Sequence, residues 1–412
     1  MRILYLTSIY DYNDKGNLFT DLVDEIVAHG HTVVVMTPKE RKYKLKTQTI
    51  TYGDNITLHQ FKCLNFRGAV NVIEKGLGTL TLGYQYLRSL KKHFRDEKFD
   101  MAIYATLPIT YTPVIKYLKR KHNTFCYLLH KDFFPQSAVD LEMMSKSSMS
   151  YKLFRGIEKG LYAHSDKIGV MTPKNVEFIT GDNPWLDPNK VEVCPNGIIP
   201  LSDEQYAAIK KNKIALREKF GIPKDSVVFI YGGIISRAQG VEFISSVFSK
   251  LKETPVENAY FLMIGSGNES EKLSRHIDNL GLKNVMIKPF LPKKEYDEIQ
   301  SCADVGMIFL DKRFTIANIP SRSLSYTDMG LAIIAGTDTY TDYRQLVEDN
   351  KLGLWCSSDN PASMVENIRI LTENKSFREE CSHNSRQYLL NNWTTKVVYS
   401  IIKNSYDEWT KK

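Results

Sequence analysis

No stretch of this 412-residue chain approaches the run of about 20 apolar residues that a membrane-spanning helix needs. Cysteine is scarce. The six residues Cys63, Cys126, Cys194, Cys302, Cys356 and Cys381 are scattered and form no Cys-x-x-Cys pair. That spacing argues against a disulfide scaffold or a thiolate zinc site, and for a reducing cytoplasm. Repeats and low-complexity tracts are missing. So are Asp-x-Asp, Gly-x-Gly-x-x-Gly, the P-loop and Gly-x-Ser-x-Gly, and no His/carboxylate group has metal-ligand spacing. The expectation is an enzyme without an obligatory metal, dinucleotide or acyl-enzyme chemistry. Residues 1–8 are too short an apolar start for a signal peptide and read as a first strand.

What the chain does have is basic charge and alternation. The net charge is +8. Residues 1–200 hold 27 Lys+Arg against 20 Asp+Glu, or +7, and residues 201–412 hold 28 against 27, or +1. Such asymmetry suggests a polyanionic partner: nucleic acid, anionic lipid or a phosphorylated substrate. Solvated lysine-rich loops explain it equally well. The basic residues do not interleave with stacking aromatics, which disfavours nucleic acid. Short apolar runs at 2–7, 32–36, 100–105, 124–129, 167–171 and 190–194 predict buried strands. So do the runs at 227–232, 259–264, 284–288, 304–309, 332–335 and 353–356. Amphipathic helices such as 18–29 and 241–252 lie between them. The alternation predicts two α/β, Rossmann-like domains with doubly wound parallel sheets, dividing near residues 195–200. Ligands in such sheets bind beyond the carboxyl ends of the strands, so the loops that matter are 8–17, 106–108, 130–137, 172–175, 232–240, 265–268, 289–292 and 310–322.

Four of these loops carry candidate chemistry. In residues 318–330 a polar, proline-bearing loop enters a short helix ended by Gly330. Ser321 and Arg322 stand at its start, where free N–H groups and a guanidinium suit an anion. In residues 231–240, Gly232 and Gly233 permit close backbone approach, and Arg237 precedes a helix. Two cationic seats in one domain suit the two phosphates of a nucleoside diphosphate. His130, Lys131 and Asp132 end a strand, and His130 can exchange a hydrogen bond with a sugar hydroxyl. Gly16 and the helix cap Asn17 close the first strand–helix loop. Each also has a plain structural reading: a turn, a cap or a buried histidine. Residues 70–94 form a basic amphipathic segment, with Leu77, Leu80, Tyr84 and Leu87 beside Lys91, Lys92 and Arg95. A second basic cluster is Lys39, Arg41, Lys42, Lys44 and Lys46. Either peripheral binding to anionic membrane or simple core packing would account for that patterning.

With those loops come looser markers: Gly30-His31, Asp132 to Ser137, Ala163 to Thr172, Val193 to Gly197, Ile264 to Gly267, Ala303-Asp304, and Pro320 to Gly330. Together, over nearly the whole chain, they resemble retaining GT-B glycosyltransferases of glycosyltransferase family 4. Within that family they are most similar to bacterial surface-polysaccharide enzymes of the fucosaminyltransferase-like branch. The resemblance implies a GT-B fold of two facing Rossmann-like domains with a cleft between them. It assigns residues 1–197 to the acceptor, 198–384 to the nucleotide sugar, and 385–412 to a helix crossing back to the first domain. It implies retaining transfer from a nucleoside diphosphate sugar, UDP-sugar being the first choice, to a lipid-linked or polysaccharide acceptor. The site would be the inner face of the cell membrane, in capsule or exopolysaccharide synthesis. His130 then corresponds to the histidine beside the donor sugar, and Asp132 orients His130 or an acceptor hydroxyl. Gly16, Gly233, Arg237, Ser321, Arg322 and Ser325 bind the donor. The family's two glutamates, eight positions apart, are replaced by Ala317 and Ser325. A nucleotide-sugar epimerase and a non-catalytic GT-B partner subunit are the alternatives.

Overall fold

A computed structural model describes residues 1–13, 16–68 and 70–411 of the chain. Asp14 and Lys15 of the first strand–helix loop lie outside the described residues, as does the side chain of Val72 in the amphipathic segment. The chain divides into two compact units. Unit 1 comprises Met1–Ile199 and Thr394–Lys412, and unit 2 comprises Pro200–Trp393.

In chain order, unit 1 contains β1 (Arg2–Leu6), α1 (Leu18–Ala28), β2 (Thr32–Glu40), β3 (Gln48–Tyr52), β4 (Ile56–Cys63), α2 (Val72–His93) and β5 (Met101–Ala105). It continues with α3 (Thr112–His122), β6 (Phe125–His130), α4 (Gln136–Asp140), α5 (Met149–His164), β7 (Lys167–Val170), α6 (Pro173–Asp182) and β8 (Val191–Val193). Unit 2 contains α7 (Asp203–Phe220), β9 (Val227–Gly232), α8 (Val241–Glu253), β10 (Ala259–Ile264), α9 (Ser270–Leu280), β11 (Val285–Lys288) and α10 (Lys293–Gln300). Then come β12 (Val305–Phe309), α11 (Arg322–Asp328), β13 (Ala332–Thr337), α12 (Tyr343–Asp349), β14 (Gly353–Ser357), α13 (Pro361–Glu373) and α14 (Lys375–Asn392). The last helix, α15 (Thr395–Thr410), returns to unit 1.

Among the described residues unit 1 has an eight-stranded sheet, ordered β3-β4-β2-β1-β5-β6-β7-β8, and unit 2 a six-stranded one, β11-β10-β9-β12-β13-β14. Every pairing is parallel except β3 with β4. Buried apolar strands covered by helices on both faces are the expected companions of parallel pairing. In unit 2 Phe229, Phe261 and Met307 meet Val247, Phe248 and Leu371 of the covering helices. In unit 1 Tyr5, Ile103 and Tyr127 pack with Leu22 and Ile26 of α1 and with Val398 and Ile402 of α15.

All six strands read from the second half of the sequence are present. The first half holds a hairpin that the apolar runs do not reveal, β3 and β4, in which Ile50 pairs with Leu58. The return to unit 1 begins at Thr394 rather than at residue 385. The reason is packing: α14 runs on to Asn392 and stays with unit 2, where Arg386 bonds to the Asp328 carboxylate and to Leu201 O. Among the described residues no helix is long and apolar enough to cross a membrane.

Candidate functional site

In unit 2 the carboxyl ends of β9 and β10 are brought close by glycine. A Cβ on Gly265 would lie 1.8 Å from Gly233 O, so no side chain fits between these two loops. Gly233 itself has φ +134°, which favours glycine, and a Cβ there would sit 3.3 Å from Arg322 Nη2. The Arg322 guanidinium therefore lies against the Gly233 backbone. Its other support is aromatic: Cζ stands 4.3 Å from the centre of the Tyr231 ring. Nη1 is enclosed and has no hydrogen-bond partner. A guanidinium on a π face keeps its full charge, and an enclosed N–H without an acceptor is costly unless a ligand supplies one. Tyr326 fixes the same loop, its hydroxyl accepting from Gly232 N at 2.9 Å.

The helix start falls where the sequence places it, with Ser321 as the cap position and Arg322 as first residue of the seven-residue α11. The Ser321 side chain is exposed and makes no capping bond. Ser325 Oγ donates to Arg322 O at 3.0 Å, and Ala317 is buried. Arg237 opens a short 3-10 turn, Arg237–Gln239, ahead of α8. It lines a cavity of about 720 Å³ with Asp311, Lys312, Arg313 and Ser358, whose lining does not include Arg322. Desolvation pushes the Asp311 carboxyl up. Two 2.7 Å bonds from Arg313 and its positive charge more than offset this, and the pKa stays below the usual carboxylate range. The structure thus joins Gly233 to Arg322 and sets Arg237 in a second, charged recess of the same unit.

Unit 1 carries the other candidates. His130 is the last residue of β6 and fully buried. Its Nε2 is 2.5 Å from Tyr162 Oη, and the Tyr162 hydroxyl donates to Glu158 Oε1 at 2.6 Å. Glu158 in turn accepts from Arg155 Nη1 at 2.6 Å. A tyrosine has one hydroxyl proton, and here it is used in the hydrogen bond to the Glu158 carboxylate. The Tyr162 oxygen can then only accept, so Nε2 of His130 carries a proton. In the neutral ring Nδ1 is left as a bare acceptor, and it is buried without a partner. Thr106 Oγ1 pins the following turn by accepting from Lys131 N and Asp132 N at 2.9 and 3.0 Å. Lys131 Nζ donates to Cys194 O at 2.7 Å, and burial lowers its pKa. The Asp132 side chain presents surface to solvent, yet protein atoms crowd its carboxyl. That desolvation raises its pKa against the pull of His130 and Lys131. Gly16, at φ +78°, is exposed just before Asn17, whose side chain caps α1 through Phe19 N and Thr20 N.

Sequence reading missed the Tyr231 platform, the Arg313–Asp311 pair and the Tyr162–Glu158 relay. The first two sit in loops it had singled out. The third reaches His130 through a His130–Tyr162 contact across 32 residues that no local pattern announces. Among the described residues no group of three or more His, Cys, Asp or Glu could hold a metal ion.

Residues 212–388 match the family model "Glycosyl transferases group 1". The chain is a glycosyltransferase. It is 22% identical over 303 residues to a Pseudomonas aeruginosa protein described as probable glycosyltransferase WbjE, covering 70% of each chain. The fold is similar to that of WaaG, a glycosyltransferase involved in lipopolysaccharide biosynthesis, with TM-score 0.66 and 16% identity over 98% of both chains. It is also similar to HepE of Anabaena, solved in complex with UDP and glucose, with TM-score 0.67 and 14% identity over 98% of this chain and 99% of that one. The two-domain α/β architecture with parallel sheets is that of GT-B glycosyltransferases.

Proposed function

We propose that this glycosyltransferase moves a sugar, with retention of configuration, from a nucleoside diphosphate sugar to a lipid-linked glycan in surface-polysaccharide synthesis. UDP-sugar is the first donor to test, in line with the UDP held by HepE. The observation that carries the reading is Arg322, held on the Tyr231 ring and the Gly233 backbone with Nη1 lacking an acceptor. Breaking the sugar–diphosphate bond puts negative charge on the leaving group. A preorganised guanidinium stabilises that charge without reorganising. Arg237 and the start of α11 at Ser321 serve the same diphosphate, and Ser325 lies one turn on. In this scheme the reaction needs no metal, because cationic side chains do the neutralising. His130 Nδ1 accepts from a hydroxyl of the donor sugar, Asp132 orients the acceptor, and the Gly16 loop covers the donor. The departing diphosphate takes the acceptor proton. The likeness to WaaG, which is involved in lipopolysaccharide biosynthesis, supports a lipid-borne glycan acceptor, and the basic first half supports work at the anionic inner surface of a membrane.

The test is a thermal shift of the purified chain against a panel of nucleotide sugars, followed by transfer of the radiolabelled hit. A true donor raises the melting temperature by mass action. No shift with any nucleoside diphosphate sugar would remove the diphosphate seat from the scheme.

A further inference from the structure

A cavity of about 990 Å³ opens on the helical face of unit 1, among α2, α3 and α5. Its walls are apolar: Leu80 and Leu87 from α2, Leu153 and Ile157 from α5, with the rings of Tyr84 and Tyr117. Five cations line it, Lys91, Lys116, Arg120, Lys121 and Lys152, and no acidic residue does. At one end the Tyr117 ring gathers two ammonium groups, Lys91 Nζ at 4.9 Å and Lys121 Nζ at 5.8 Å from its centre. Two like charges over one ring repel, and an anion between them would relieve the repulsion. At the start of α3 the hydroxyls of Thr110 and Thr112, both lining the cavity, are buried without hydrogen-bond partners. An apolar stripe along α2 leads into the cavity. Ile73, Leu77 and Tyr84 are 73%, 54% and 65% exposed, whereas Leu82, Tyr86 and Leu90 of the same helix face the core.

Apolar walls, a one-sign rim and orphaned hydroxyls together describe an amphiphile with an anionic head. We propose that the cavity binds one anionic membrane lipid. Its chain lies along Leu80, Leu87, Leu153 and Ile157, and its phosphate sits at the Lys91–Tyr117–Lys121 end. The exposed stripe of α2 enters the same leaflet. This rests on the reading that the enzyme works at a membrane. It adds a discrete, saturable site to what charge alone would make a diffuse attraction.

Gly156 provides a clean test, because it lines the cavity and a Cβ there meets nothing within 4 Å. Gly156→Phe fills the space without changing charge, and within a helix it replaces a poor helix former. The full-length chain is titrated by calorimetry with dioctanoyl phosphatidic acid kept below micelle formation. Dioctanoyl phosphatidylcholine and inorganic phosphate are the controls. The expected result is saturable one-to-one binding of the phosphatidic acid, and weaker or no binding of either control. Binding is lost in Gly156→Phe and weakened about thirty-fold in Lys91→Glu/Lys121→Glu. Nucleotide-sugar affinity, unchanged in both variants, verifies that they are folded. Equal binding of the two lipids, phosphate binding as tight as the lipid, or full binding by Gly156→Phe overturns the site. Flotation on anionic vesicles separates the two levels. Vesicle binding without monomer binding sinks the cavity and spares the membrane reading, and failure of both sinks both.

Discussion

Replacing Arg322 with alanine should cost more in donor binding than in stability. Besides lying against the Gly233 backbone, the side chain is held within the protein by its 4.3 Å stacking on Tyr231. At a largely desolvated position that is worth about 1–2 kcal/mol. Its enclosed Nη1 adds no stability of its own, because it has no acceptor within the protein. A phosphate oxygen meeting that N–H forms a charge-assisted bond worth about 1.5–3 kcal/mol. The dissociation constant for UDP should therefore rise about ten- to a hundred-fold. Calorimetry at a temperature well below both melting points reads this directly. Uridine, which lacks phosphates, is the internal control and should bind both proteins alike. Arg322→Lys should fall between, since an ammonium keeps the charge but loses the planar stack and the fixed second N–H. A folded Arg322→Ala protein that binds UDP as well as the parent does would refute the reasoning. So would one that loses uridine and UDP equally, because the contact would then not be to phosphate.

Transfer should survive excess EDTA, since Arg322 and Arg237 are proposed to neutralise the diphosphate; activity lost in chelator and restored by magnesium or manganese would contradict this. Acid should unfold unit 1 partly through His59, which is buried between Thr49 and Ser89 and whose pKa burial and His93 lower to about 4. The unfolded chain takes up that proton near pH 6.5, so this stability is complete above pH 6.5 and drains away toward pH 4, up to about 3 kcal/mol in all. His59→Gln should flatten that part of a pH series of urea melts, and an unaltered slope would assign the acid sensitivity elsewhere. Gly306→Ala should lower stability by about 1–3 kcal/mol, because the new methyl would lie 2.3 Å from Tyr326 Cδ2. It should weaken UDP binding too, through the Tyr326 bond to Gly232; a thermal melt and a titration check the two effects.

Twelve strands were legible because a parallel strand covered on both faces must be apolar throughout, as in 227–232 and 259–264. The β3–β4 hairpin was not. Its buried positions include His59 and Gln60, on opposite faces of β4, which are tolerated because Thr49, Ser89 and Gln48 bond to them. A polar residue satisfied by a partner far along the chain breaks the pattern that sequence reading relies on. Site legibility followed the same line. Gly233 and Arg322 stand in loops punctuated by glycine and proline, so strand ends and helix starts pointed to them. That Arg322 rests on Tyr231, and that His130 is oriented through Tyr162 and Glu158, depends on side chains meeting after the sheet has formed. In α2 the apolar pattern was visible, but which residues turn inward and which stay exposed was settled only by packing against α3 and the sheet.

The chain leaves unit 1 at Ile199 and re-enters it at Thr394, where a backbone bridge joins Ile198 to Thr394. Helix α1 is completed by α15, made some 370 residues later. Thr395 Oγ1 bonds Glu25 at 3.0 Å, Tyr399 Oη is 2.8 Å from His31 Nε2, and the Tyr399 ring stacks on His29 at 4.0 Å. On the ribosome, α1 must wait with Leu22 and Ile26 only half covered while all of unit 2 is synthesised and free to fold. Unit 2 is a continuous insertion with its own core and owes nothing to that delay. A message truncated just before residue 394 would yield a finished unit 2 attached to a unit 1 with an open apolar flank, the kind of product that quality-control proteases remove.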